Sequence, residues 1–297
     1  MKTVVARYNL LCGGGCLPPM WGLGLKYRVK GDFNQNEVMQ MSRYFRDKRI
    51  PCDVLGLEPG WQTQTYSCSY LWNKERFSNH AAMLEDLFSK GFKVNLWEHA
   101  FVHPSSPLYE PLKQLSGDFK VWNGLVPDFA LPETRKRFAD YHRNLVKEGV
   151  AAFKLDECDN SNIASSEQSW SFPELSEFPS GLSGDEMHQT FGLLYLRTLS
   201  ELFKEENRRS YLDYRSSGLF ASSLPGCLYS DSYTHSEYIR MLTNEAFAGL
   251  LWCPEVRTAN NEKDFFRRLQ TVLLSPDAMI NSWFLRFPPC RYGCCRQ

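Results

Sequence analysis

Apolar residues recur along this chain in two alternating rhythms. Short, nearly continuous runs read as buried strands, and longer stretches with a period near 3.6 read as helices with one apolar face. Residues 18–27 open a first strand after a proline pair, and Asn36 is expected to cap a helix to about residue 49 with Val38, Met41, Tyr44 and Phe45 on one side. Residues 50–58 give a second strand. A helix capped by Asn79 and stopped by Gly91 leads to a third at 92–99. After a long polar connection, Pro132 opens a helix that ends at Gly149, and residues 149–159 carry the fourth strand into a burst of charge. Residues 161–184, rich in Ser, Pro and Glu, read as an excursion rather than a packed element, before a long helix capped by Asp185. Strands at 211–215, 227–231, 249–253 and 278–283 follow, with helices at 237–247 and 265–274 between the last three.

Eight strand-like runs alternating with helices, on connections long enough for parallel crossovers, predict an α/β fold: a closed (β/α)₈ TIM barrel. An open doubly wound sheet is the competitor, but no Gly-rich phosphate loop follows any strand. The barrel is expected to span 18–289. Residues 1–17 form a lead-in, and 290–297 a Cys/Arg-rich tail read as the product of truncation or alternative splicing.

Composition narrows the partners. With 297 residues and a formal net charge of zero, the chain lacks the basic excess that tracks a phosphate backbone, so nucleic acid is not an expected partner. No apolar run reaches the length of a membrane span, and Arg7 interrupts the N-terminal run too early for a secretory signal; compartment and oligomeric state stay open. Of ten cysteines, Cys52, Cys158, Cys227 and Cys253 sit in or beside apolar runs as small buried residues. Cys12 with Cys16, and Cys290 with Cys294 and Cys295, form clusters able to pair or bind metal. No ligand-spaced Cys/His set supports zinc, and no cofactor is expected.

In a barrel of this kind the chemistry lies where strands end. Those ends carry Glu58, Trp97 with Glu98 and His99, then Lys154, Asp156, Glu157 and Cys158, then Arg215, Asp231, Trp252 with Glu255 and Arg257, and Asn281. Lys154 and Asp156 are two apart and share one side of a strand, with Leu155 opposite. An ammonium keeps a neighbouring carboxylate ionised, which suits a nucleophile; a strand-end salt bridge is the plainer alternative. Carboxylates interleaved with arginine, tryptophan and histidine suit a sugar better than a divalent metal, because the cationic neighbours compete with a metal ion.

These segments also carry a resemblance. Residues 19–24, 50–54 and 91–94, then Asp128 with Pro132-Glu133, resemble in order the barrel of glycoside hydrolase family 31, which contains retaining α-glucosidases, α-xylosidases and α-galactosidases. So do Phe153-Lys154-Leu155-Asp156, Arg215-Ser216-Ser217-Gly218, Tyr229-Ser230-Asp231, and Leu269-Gln270 with Ser275-Pro276. The resemblance implies Asp156 as nucleophile and Asp231 as general acid/base, about 5–5.5 Å apart for a retaining mechanism through a covalent glycosyl intermediate. It implies a carbohydrate substrate (an α-glucoside, α-xyloside or α-galactoside) bound by Glu58, Trp97, Glu98, Lys154, Glu157, Cys158, Arg215, Trp252, Glu255 and Asn281, with no metal.

The chain departs from the family at hydroxyl-binding positions. Glu58 stands where the family usually has Asp, Asn281 where it has His, and Ser230 where it often has glycine. These changes put plain glucose specificity in question. Because family members usually flank the barrel with β-sandwich domains, a second expectation is a truncated barrel that binds sugar or a partner with little catalysis.

Overall fold

The fold is seen in a computed structural model, in which residues 1–158, 170–215, 219–229 and 234–285 are described. Its first element is helix α1 (Lys2–Leu11), which the sequence reading passed over because Arg7 and Asn9 break its apolar pattern; none of its residues is buried. After a short turn of 3-10 helix (Met20–Leu23), β1 (Leu25–Arg28) begins later than expected. Helix α2 (Gln35–Asp47) starts from Asn34 rather than Asn36, because Asn34 and Glu37 close a reciprocal capping box. Then come β2 (Val54–Leu57), α3 (His80–Ser89, capped by Asn79 as expected) and β3 (Lys93–His99).

The polar connection after β3 is more structured than its composition suggests. It holds a short helix α4 (Tyr109–Leu112) and an antiparallel hairpin, β4 (Ser116–Val121) with β5 (Gly124–Pro127). Helix α5 (Pro132–Glu148) ends on Gly149 in the left-handed conformation and feeds β6 (Val150–Asp156). Helix α6 (Gly184–Glu205) is capped by Ser183 with Glu186, again a capping box, and not by Asp185. The described part of the preceding excursion is packed: Phe172 and Phe178 are buried, and the Trp170 ring stacks on His188 at 4.3 Å. Thereafter come β7 (Leu212–Tyr214), β8 (Gly226–Leu228), α7 (His235–Ala248), β9 (Glu255–Val256), α8 (Glu262–Leu273) and β10 (Ala278–Asn281). The expected seventh strand is displaced because Pro254, which has no N–H to donate, splits it: residue 252 makes only a bridge, and β9 lies beyond the proline.

Eight strands pair side by side in the order β8-β7-β6-β3-β2-β1-β10-β9, all parallel. The two ends meet through a parallel bridge between Leu228 and Trp252, with Leu228 N–H donating to Leu251 at 2.7 Å and Cys253 N–H to Leu228 at 2.8 Å. The ring is therefore the expected (β/α)₈ barrel. Alternation along each strand turns Leu55, Leu96, Phe153, Leu155 and Tyr214 outward into the apolar layer beneath the helices. The opposite set fills the barrel. At its floor lie Tyr211, Cys227, Cys253 and Met279; above them is a buried polar layer, and the site forms where the strands end.

Candidate active site

The polar layer explains how charge is tolerated inside the barrel. Lys26 Nζ lies 2.5 Å from Asp213 Oδ1, and Arg28 pairs through Nε with Glu58 while its Nη1 donates to Asn95 Oδ1 at 2.8 Å. Asn95 in turn donates to Asp213 Oδ2 at 3.0 Å. Burial alone would raise the Asp213 pKa, but Lys26 and then Arg28 outweigh it and hold the carboxyl below its ordinary value. Each buried ion thus has a countercharge, without which it would cost several kcal/mol. The backbone makes room at Gly56, where a Cβ would come within 2.6 Å of Arg28 Nη1.

Asp156 ends β6 one level higher. Trp97 Nε1 donates to its Oδ2 at 2.7 Å, Glu157 N–H donates to its Oδ1 at 2.9 Å, and Arg215 Nη1 stands 3.5 Å from Oδ1. Burial pushes its pKa up, yet Arg215, Lys154 and the Trp97 N–H together hold it well below the usual carboxylate range. Asp156 is therefore a fixed, ionised carboxylate at the carboxyl end of a barrel strand. Lys154 lies over the Tyr229 ring at 4.6 Å and sits 4.0 Å from both Glu58 and Glu255. Burial raises the Glu255 pKa against the pull of Lys154 and Arg257, and Asn281 hydrogen-bonds to it. His99 is kept neutral, its pKa lowered to about 3 chiefly by burial.

The expected residues thus divide. Glu58, Trp97, Lys154, Asp156, Arg215, Glu255 and Asn281 converge at one end of the barrel. Glu157 adjoins them at a positive φ of 52°, and Cys158 is buried in the apolar core. Two residues face the other way. Glu98 lies between Trp97 and His99 on β3, so it points outward, where it accepts from Tyr195 Oη at 2.6 Å and meets His142 Nε2 at 3.2 Å. Trp252 alternates with Cys253 in the same manner and packs on Tyr238 of α7, with ring centroids 5.6 Å apart. Asp231 lies outside the described residues, as do Ser216 to Gly218, Ser230 and Cys290 to Cys295.

Lys26, Arg28, Asn95, Asp213 and Tyr229 were missed as site-supporting residues. For the first two a signal existed: Lys26-Tyr27-Arg28 has the same i, i+2 charge pattern as Lys154-Leu155-Asp156. Cys12, Cys16, Cys52, Cys68, Cys158, Cys227 and Cys253 are free thiols, and all but Cys16 are buried. Among the described residues no group of three or more His, Cys, Asp or Glu side chains is arranged to hold a metal ion, and no helix is long and apolar enough to cross a membrane.

This geometry can be set beside known proteins. The chain is 24% identical to an alpha-xylosidase of Emericella nidulans over 217 residues, covering 67% of this chain and 26% of that protein. It is 30% identical to the myogenesis-regulating glycosidase of Mus musculus over 137 residues, covering 41% and 19%. It is 27% identical to neutral alpha-glucosidase AB of Sus scrofa over 154 residues, covering 47% and 16%. The chain therefore spans about a quarter or less of the length of these relatives. Among solved structures, the ER glucosidase II heterodimeric complex superposes with a TM-score of 0.79 at 17% identity, over 98% of this chain and 34% of that one. The cycloalternan-degrading enzyme from Trueperella pyogenes in complex with a covalent intermediate gives 0.77 at 16%, over 98% and 45%. The family model of the glycosyl hydrolases family 31 TIM-barrel domain matches residues 15–280. A match over that much of its length shows that the chain belongs to glycosyl hydrolases family 31 and carries that family's TIM-barrel domain.

Proposed function

We propose that this barrel is the catalytic domain of a retaining α-glycosidase, with Asp156 as nucleophile and Asp231 as general acid/base. The observation that carries the reading is the state of Asp156: a strand-end carboxylate held ionised by Arg215, Lys154 and the Trp97 N–H. Such a group attacks an anomeric carbon without first losing a proton. Asp231 protonates the departing oxygen and then, as carboxylate, takes a proton from the water that releases the sugar. Arg215 keeps the nucleophile oriented, and the Trp97 ring walls the sugar. Glu58 and Glu255, bridged by Lys154, offer acceptors and a donor to its hydroxyls.

The relatives named for alpha-xylosidase and neutral alpha-glucosidase activities favour α-xylosides and α-glucosides as substrates, and the solved neighbour holding a covalent intermediate is of the kind this mechanism needs. Glu58 in place of the family's usual Asp keeps α-galactosides in the panel. Replacing Asp156 with Asn is expected to lower the hydrolysis of aryl α-glycosides by roughly a thousandfold or more. Hydrolysis undiminished in Asp156→Asn, or none in the unaltered chain, would overturn the reading in favour of a barrel that binds sugar without cleaving it.

A further inference from the structure

The end of the barrel opposite Asp156 holds a cavity that the catalytic steps do not use. Asp156 closes β6 at its carboxyl end, whereas this cavity, of about 770 Å³, lies where β7 and β8 begin. Ser210, just before β7, and Pro225, just before β8, both line it. The cavity is therefore at the amino ends of the strands, a barrel length from the nucleophile.

Its lining is divided by chemistry. Leu193, Leu194 and Phe203 of α6 form an apolar wall with Leu224 and with Leu17, which is left 80% exposed. Lys204, Arg208 and Arg209 border the same space. Arg208 and Arg209 also line a second hollow of about 500 Å³, beside Lys147 in the last turn of α5 and Lys93 at the start of β3. Arg208 is fixed between the two hollows, its Nη1 donating to the Val146 carbonyl.

The acids nearby are already committed. Glu201 is held by Arg197 at 2.8 Å, and Glu205 and Glu206 both pair with Arg143. In the second hollow Glu148 accepts from Trp72 Nε1 at 3.2 Å and meets His80 at 3.3 Å, which leaves Glu85. Lys204 and Arg209 make no ion pair with any described residue. Cations gathered on one rim without counter-ions repel one another and favour an anion. On the inner wall Ser210 is 3% exposed, and its hydroxyl finds no hydrogen-bond partner among the described residues. A cavity of this size, largely apolar with a few convergent polar groups, has the character of a small-molecule site.

We propose that this cavity binds a small phosphate monoester carried on an apolar body, and that its occupancy braces the starts of β7 and β8. Two charges and several acceptor oxygens match a lysine, two arginines and a hydroxyl better than a single carboxylate does. The hydrocarbon part lies along the leucines and Phe203. The inference is independent of the glycosidase reading, since none of these residues serves the reaction at Asp156.

The test separates head from tail. Octyl phosphate, kept well below its micelle concentration, supplies both; inorganic phosphate supplies only the head and octan-1-ol only the tail. Calorimetry on the unaltered chain should find octyl phosphate bound at least about tenfold more tightly than either fragment, and more weakly as salt rises. The amide of Leu212, which donates to the Pro225 carbonyl at 3.0 Å, should exchange more slowly when octyl phosphate is bound. Lys204→Gln combined with Arg209→Gln removes two exposed charges that hold no ion pair, so the variant should melt as the unaltered chain does. It should lose about tenfold in affinity for octyl phosphate and less than twofold for octan-1-ol. Octyl phosphate bound no more tightly than its fragments, a result that needs no variant, overturns the site, as does undiminished binding by the double variant. Unchanged exchange at Leu212 with octyl phosphate bound overturns the bracing.

Discussion

Asp156 and Asp277 are both buried aspartates, at opposite ends of the barrel, and their surroundings drive them in opposite directions. Around Asp156, Arg215, Lys154 and the Trp97 N–H overcome burial and depress the pKa. Its stabilising contribution is thus fully present above about pH 4 and is lost as pH falls through its lower folded value. Asp277 has Lys26 and the Tyr211 hydroxyl to help it, but burial prevails and lifts its pKa to about 6. The folded state then holds a proton that the unfolded chain has released. Relative stability is therefore present below about pH 4 and lost as pH rises through about 6. Asp277→Asn is expected to flatten that slope in urea unfolding and to stabilise the protein at pH 7 by ~2–3 kcal/mol; a slope unchanged by the substitution contradicts the assignment. At this scale the sequence was readable where a pattern was local. Lys154-x-Asp156 shows its shared face directly, whereas Arg28 gives no hint of Glu58, thirty residues away, or of Asp213. Taking Glu98 for a site residue ignored that Trp97, Glu98 and His99 cannot all face one side of a strand.

The unit that delivers the nucleophile is α5, Gly149 and β6. Gly149 has φ of 117°, and its N–H caps the helix by donating to the Val146 carbonyl at 3.1 Å. The chain can then reverse and enter β6 at Val150, six residues before Asp156. Gly149→Ala has room for its Cβ, with the nearest atom 3.8 Å away, so its cost is conformational. A loss of about 1–2 kcal/mol in chemical unfolding is expected, and an unchanged midpoint would contradict the role given to the turn. Elements with strong local signals were legible: Pro132 and Gly149 bound α5, and Asn79 caps α3. The β4–β5 hairpin was not. Its Asn123-Gly124 pair marks a turn, but the turn's centre is one residue earlier, and Trp122 disguises it. Pro254 similarly hid the true place of β9, because an apolar run continues up to it while the ladder does not.

The barrel as a whole is unevenly built. β3 and β6 are seven residues each and pair along most of their length, whereas β7, β8 and β9 have three, three and two. Among the described residues, closure rests on the bridge between Leu228 and Trp252. Amide exchange is therefore expected to be slowest at Leu96 and Phe153 and fastest at the closure bonds donated by Leu228 and Cys253; uniform protection round the ring would contradict this picture. The overall architecture was legible because eight buried strands repeat one rhythm. What closes the ring, and what lies over its mouth, depends on contacts between distant segments and was not. The central claim, that Asp156 attacks the sugar, is tested most directly by trapping. Incubation with 5-fluoro-α-glucosyl and 5-fluoro-α-xylosyl fluorides, followed by mass spectrometry of proteolytic fragments, should find one glycosyl group on the peptide containing Asp156 and none in Asp156→Asn. A glycosyl group on another carboxylate, such as Asp213 or Glu157, or hydrolysis with no adduct at Asp156, would contradict the account.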